Sequence, residues 1–106
     1  MALILVLCTC PPGDTAERLA KLLVEEKVAA CVNRLDGVES VYNWQGKTEQ
    51  DAETLLLIKT SDTVWPQLEQ AIMRHHPYDV PEIIALPIVT GNQDYLNWVE
   101  DSLCTD

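Results

Sequence analysis

Fourteen residues from Cys31 to Trp44, CVNRLDGVESVYNW, read as one extended stretch with a bend or bulge at Asp36-Gly37. Gln45-Gly46 turns the chain back, and Thr48 to Thr60 returns as a second strand. Its outer half, with Glu49, Gln50, Asp51 and Glu53, is polar, and its inner half, Leu55 to Ile58, is apolar throughout. At about 3.3 Å per residue the outgoing strand spans roughly 46 Å. The helical pattern ahead of it has about 16 residues, which at 1.5 Å each covers only about 24 Å. The hairpin therefore outruns its own helical cover by about 20 Å. Its uncovered end carries Val41, Tyr42 and Trp44. An apolar ribbon with free edges invites association, so the expectation is an oligomer in which the hairpin packs on, or pairs with, a neighbouring copy.

The flanking patterns supply the rest of the fold. Ala2 to Cys10 is a continuous apolar run with β-branched members, stopped by Pro11, Pro12 and Gly13, and predicts a strand buried on both faces. Asp14 and Glu17 form a D-x-x-E box, a variant of the capping box. Ala16, Leu19, Ala20 and Leu23 follow at helical spacing and predict an amphipathic helix to about Ala30. After the hairpin, Ser61, Asp62 and Thr63 are N-cap candidates and Pro66 suits a first turn. Trp65, Leu68 and Ile72 form an apolar stripe, and the helix must end before Pro77. Ile83 to Val89 predicts a strand, placed at an edge or bulge by Pro87. A last helix runs from about Gln93 to Leu103, with Leu96, Val99 and Leu103 inward. The order β-α-β-β-α-β plus a C-terminal helix is the ferredoxin-like split βαβ plan, an α+β sandwich.

Length and charge bound the function. The 106 residues predict a single domain over 1–106. Net charge is −10, which argues against nucleic acid, since phosphates need a basic face, and against an anionic membrane surface. The opening MALILVLCTC lacks a basic n-region and a small-residue cleavage site. No stretch approaches the roughly 20 apolar residues of a spanning helix, so the expected location is cytoplasmic. Cys8, Cys10, Cys31 and Cys104 show neither C-x-x-C nor zinc-finger spacing, and buried free thiols are the expectation. The chain shows no paired carboxylates with an acid–base division, no nucleophile elbow and no glycine-rich phosphate loop, so no enzyme is expected.

The stretch RHHPYDVPEI, Arg74 to Ile83, holds the remaining chemistry. Imidazole and thiolate suit Cu(I), Cu(II) and zinc. Consecutive helical residues point about 100° apart, so His75 and His76 share an ion poorly within a helix. Pro77 forces the chain out of helix there, which leaves convergence open. Cys8 and Cys10 are i, i+2 on a strand and point to one face: Cys10 either adds a ligand or fills space. The alternative for the whole set is a helix-ending histidine pair above core cysteines. Pro77 and Pro81 make HPYDVP a stiff corner.

Taken together, LCTCPPGDTAERLAKLLVEEKVAACVN, YNWQGKTEQ, LLLIKTS, HHPYDVPEIIALPI and GNQDYLNWV resemble the CutA family of divalent-cation tolerance proteins over Leu7 to Val99. The resemblance implies compact homotrimers, similar to PII signalling proteins, with extended hairpins meeting across subunits. It implies a response to metal ions, with copper or another divalent ion as ligand, and carries a metal site onto Cys8, His75 and His76. It also implies a ligand cleft between subunits, for which Tyr42, Trp44, Glu49, Lys59, Tyr78 and Glu82 are candidates. The residues by themselves equally allow the aromatic groups to be interface packing. Two functions follow: a metal-binding tolerance protein, or a PII-like signalling or scaffold module holding a small ligand or protein segment.

Overall fold

The structure, a computed structural model, describes residues 2–104. Its elements are β1 (Leu3–Cys10), α1 (Thr15–Glu25), β2 (Cys31–Trp44), β3 (Lys47–Ser61), α2 (Trp65–His75), β4 (Ile83–Pro87) and α3 (Gln93–Asp101). The four strands form one antiparallel sheet in the order β2-β3-β1-β4. β1 and β2 run parallel with β3 between them, which is the expected split βαβ arrangement. No helix among the described residues is long and apolar enough to cross a membrane.

Strand alternation sorts the sheet into two faces. Val6, Cys8 and Cys10 of β1 and Leu56 and Ile58 of β3 are buried with Ala16, Leu19 and Leu23 of α1 and Leu68, Ala71 and Ile72 of α2. Burying these side chains is the main drive for folding, at about 25 cal/mol per Å² of apolar surface. Leu5, Leu7, Leu55 and Leu57 point the other way and stay half-buried. Register puts Ile84 and Leu86 of β4 beside Leu7 and Leu5, and both are exposed. The expectation that β1 is buried on both faces is thus met on one face only within a single chain.

The first helix ends at Glu25, not at Ala30. Lys27 adopts a left-handed φ of 60°, and the Val28 amide turns back to the Leu23 carbonyl at 3.1 Å. Val28, Ala29 and Ala30 then enter the core as a short connector, tied to β3 by the Thr60 hydroxyl on the Val28 carbonyl at 2.8 Å and by the Ala30 amide on the Lys59 carbonyl at 2.9 Å. The capping box does not form. Asp14 makes no cap bond and lies 3.6 Å from Arg18, while Glu17 lies 4.0 Å from Lys21. The N-cap of α2 is Val64, with the Ser61 hydroxyl accepting from its amide at 3.3 Å. The fourth strand stops at Pro87, at the sheet edge, short of the expected Val89.

The hairpin has the expected length and turns on Gln45 and Gly46, both at positive φ, the mark of a tight two-residue hairpin turn. Its pairing slips between Leu35 and Val38, at the Asp36-Gly37 bulge. Thr54 donates to Asp36 across it at 3.1 Å. Because side chains alternate with period two, this insertion reverses which residues of β2 face which side. Below it Asn33 and Leu35 stand opposite Leu57 and Leu55; above it Val38, Ser40, Tyr42 and Trp44 stand opposite Glu53, Asp51, Glu49 and Lys47. The bulge thereby turns Tyr42 and Trp44 onto the face that carries Leu7 and Leu55. Gly37 holds φ at 78° with no atom within 4 Å of an added Cβ, so Gly37→Ala is expected to cost roughly 1–2 kcal/mol from backbone strain alone, readable in a denaturant melt. The long axis of the chain is 44 Å against 26 and 21 Å across.

Candidate functional site

Two places collect chemistry at the end of the sheet where β1 stops. The first is built by strand period and a helix end. Cys8 and Cys10 share the core face of β1 and are both 0% exposed. His76 caps α2 in extended backbone, ψ 136°, as Pro77 demands, and is 8% exposed. The two sulfurs and an imidazole nitrogen all lie within 4.8 Å of one another. The His76 ring is held at both ends: Nε2 stands 2.8 Å from the Thr9 carbonyl, and Nδ1 accepts from the Tyr78 amide at 3.1 Å. That network assigns the proton to Nε2. The Tyr78 ring packs against the imidazole, centroids 4.8 Å apart. The Cys8 thiol is pushed far up by its hydrogen bond to Cys10, by burial, and by the nearby charges of Cys10, Glu82 and Glu53.

His75 does not join this cluster. It is exposed and lines a separate groove with Thr15, Arg18, Leu19 and Leu22. The helix continues through His75 and breaks after it, so the angular separation of consecutive helical residues persists and the two rings diverge. Cys10 takes the third place, as its i, i+2 relation to Cys8 permits.

The second place is a cavity of about 360 Å³ lined by Thr9, Tyr42, Trp44, Glu53, Tyr78, Asp79 and Val80. One wall is the hairpin above the bulge, the other the stiff HPYDVP corner. The Tyr78 hydroxyl donates to Glu53 at 3.0 Å, and the Tyr42 hydroxyl donates to Asp51. The structure brings together Tyr42, Trp44 and Tyr78 from the expected cleft set. Glu49 faces the same side opposite Tyr42 without lining the cavity. Lys59 lies elsewhere, bonded to Asn33 and 3.9 Å from the Cys31 sulfur, and Glu82 makes itself felt at Cys8. Sequence reasoning missed Thr9 and Glu53. The signal for Glu53 was present: Glu49, Asp51 and Glu53 alternate along one face of the hairpin.

Both phenols are pushed up to about 12, Tyr42 chiefly by its bond to Asp51, Tyr78 chiefly by burial and then by its bond to Glu53. Both start from an ordinary value of 10.0. A raised value means that the hydroxyl contacts stabilise the fold fully below pH 10 and lose that effect as pH climbs through about 12. Phenolate absorbance is expected to show these two tyrosines ionising late, with Glu53→Gln moving Tyr78 back toward its ordinary value. An unchanged titration in that variant would break the assignment.

The fold and these two places define a ferredoxin-like α+β protein with soft donors packed beneath a sheet and an aromatic cavity on an overlong hairpin. The chain belongs to the CutA1 divalent ion tolerance protein family, whose profile matches residues 4–102. It is 48% identical over 97 residues to the divalent-cation tolerance protein CutA of Thermus thermophilus, covering 92% of this chain and 94% of that one. The solved structure of CutA1 from Oryza sativa superposes with a TM-score of 0.97 at 45% identity, over 100% of this chain and 97% of the other. Protein CutA of Mus musculus is 45% identical over 91 residues, which span 86% of this chain and 51% of that longer protein.

Proposed function

We propose that this protein acts in tolerance to divalent cations by binding a thiophilic ion, copper among them, at Cys8, Cys10 and His76, as a non-catalytic trimer. The carrying observation is the convergence of two thiols and an imidazole within 4.8 Å in the core. The donor set fits. Sulfur and imidazole suit copper and zinc, whereas magnesium and calcium want oxygen. Neighbouring donors around a tetrahedral ion stand about 3.5–3.8 Å apart, and the three donors lie within 4.8 Å of one another before any ion draws them in. The ion would supply charge to hold two thiolates together in the interior. The residues do the rest: Cys8 and Cys10 release protons on loading, His76 exchanges one of its two hydrogen bonds for the ion, and the Tyr78 ring keeps the imidazole in place. Four unpaired cysteines support a reducing, cytoplasmic setting. The name of the Thermus thermophilus relative supports the physiological role.

The exposed apolar residues support assembly. Leu35, Val41, Tyr42, Trp44, Ile84 and Leu86 are large and exposed in the single chain, and several share the sheet face that α1 and α2 leave open. Anaerobic titration calorimetry with Cu(I) or Zn²⁺ tests the site: one ion per chain is expected, lost in Cys8→Ser with Cys10→Ser. Equal binding by that variant would reject it.

A second reading has its own observation. The cavity of about 360 Å³ falls at the small end of ligand pockets, and supports a signalling or scaffold module. Pull-down in the presence of chelator separates the two, since only this reading expects partners that persist without metal.

A further inference from the structure

Glu53 is a carboxylate for which neither the core nor the thiol–imidazole cluster has a use. It is 8% exposed, yet it lines an open cavity. Its hydrogen-bond donor is the neutral Tyr78 hydroxyl at 3.0 Å. The ion pairs among the described residues join Arg18 to Asp14, Lys21 to Glu17 and Arg74 to Glu26, so no cation among the described residues pairs with it. A buried carboxylate without a cation carries a desolvation cost that a positive ligand offsets.

The surroundings specify what kind of positive ligand. Three aromatic rings, Tyr42, Trp44 and Tyr78, line the same space, with Asp79 beside them and Asp51 held behind Tyr42. Both phenols are pushed up, Tyr42 chiefly by its bond to Asp51 and Tyr78 chiefly by burial and then by its bond to Glu53. Ring faces and carboxylates attract the same partner, a cation, and the rings favour one with an organic body. A bare metal ion fits less well: among the described residues the donor group tight enough to hold one is Cys8, Cys10 and His76. An anion meets only like charge.

We propose that the cavity between the hairpin and the HPYDVP corner binds an organic cation, an alkylammonium or guanidinium group seated against Glu53 and Asp79 with its body against Tyr42, Trp44 and Tyr78. This rests on reading the cavity as a ligand pocket and is independent of the metal site. The volume suits a choline-sized molecule or a single basic side chain.

The test is calorimetry on the assembled protein with choline and with its neutral isostere 3,3-dimethylbutan-1-ol, in which carbon replaces the charged nitrogen. Choline is expected to bind saturably and the isostere roughly tenfold more weakly. Glu53→Gln is expected to bring choline down to the level of the isostere. Asp79→Asn, at an exposed position, carries the same expectation if Glu53→Gln fails to fold. Equal binding of choline and isostere would overturn the cation assignment while leaving the cavity a ligand pocket. Absence of saturable binding by either would overturn both. Agmatine against a blocked tripeptide with central arginine then distinguishes the sources: tighter binding of the tripeptide assigns the cation to a protein side chain, tighter binding of agmatine to a free small molecule, and either supports the charge requirement.

Discussion

His76→Ala is expected to lower folding stability by about 2–4 kcal/mol and to abolish thiophilic-metal binding, while His75→Ala leaves metal binding intact and changes stability by less than about 0.5 kcal/mol. The contrast follows from the two environments. Removing the His76 ring strips the Thr9 carbonyl of a donor at 2.8 Å and the Tyr78 amide of an acceptor at 3.1 Å. Each buried polar group left unpaired costs about 1–3 kcal/mol. The ring also leaves a void beside Cys8 and Cys10, and loosens Tyr78, which packs on it. His75 faces solvent, and no such cost attends its loss. Denaturant melts of the two variants, together with Zn²⁺ calorimetry, give the comparison. Equal effects of the two substitutions would mean that the side chains act as a pair, against the divergence seen here. His76→Gln separates the roles, because an amide can restore the hydrogen bonds better than it can replace imidazole as a ligand to a thiophilic ion.

The long-range plan of this fold is carried by features that sequence displays openly. The arm from Cys31 to Trp44 and the tight turn after it stand as read, because a 14-residue extended run has few alternatives once it is flanked by helical patterns. The bulge at Asp36-Gly37 was visible as a turn dipeptide inside a strand. Its consequence was not, since reversing a face matters only when the partner strand is known. Local ends were less legible. VEEKVAA contains no glycine or proline to stop α1, and the stop comes instead from Val28 to Ala30 being pulled into the core, a tertiary demand that overrides periodicity. The same holds for the candidate site. Adjacent histidines look like a pair in one dimension, but the helix sends His75 to solvent and His76 inward. Cys10 joins Cys8 because strand period is reliable over two residues. Glu53 was visible as one of the alternating acids of the hairpin, whereas Thr9 could be recognised as a cavity wall only after β1, β3 and the proline corner were brought to one end of the sheet.

The second large effect is expected from a residue that a lone chain scarcely needs. Leu86 is 47% exposed on the edge strand β4. Register sets it beside Leu5, and Ile84 beside Leu7, on the face where Leu55 and Leu57 also point. In a monomer, Leu86→Glu is a surface change worth no more than about 0.5 kcal/mol. In an assembly that closes this face, the same change buries an unpaired carboxylate in each of several equivalent seams, at several kcal/mol per site. A stable interface buries roughly 800 Å² per partner, and a row of leucines continued by the exposed Leu35 at the base of the arm is the chemistry such an interface uses at its centre. Sedimentation velocity is therefore expected to show a trimer for the wild type and single chains for Leu86→Glu at micromolar concentration, with a concentration-dependent melting temperature only in the wild type. Val41→Lys, on the arm and far from β4, is expected to weaken the same assembly, because the overlong hairpin must be covered by a sister chain for its apolar tip to leave water. If Leu86→Glu sediments and melts as the wild type does, the open face is solvent-bathed and the arm has no partner to reach.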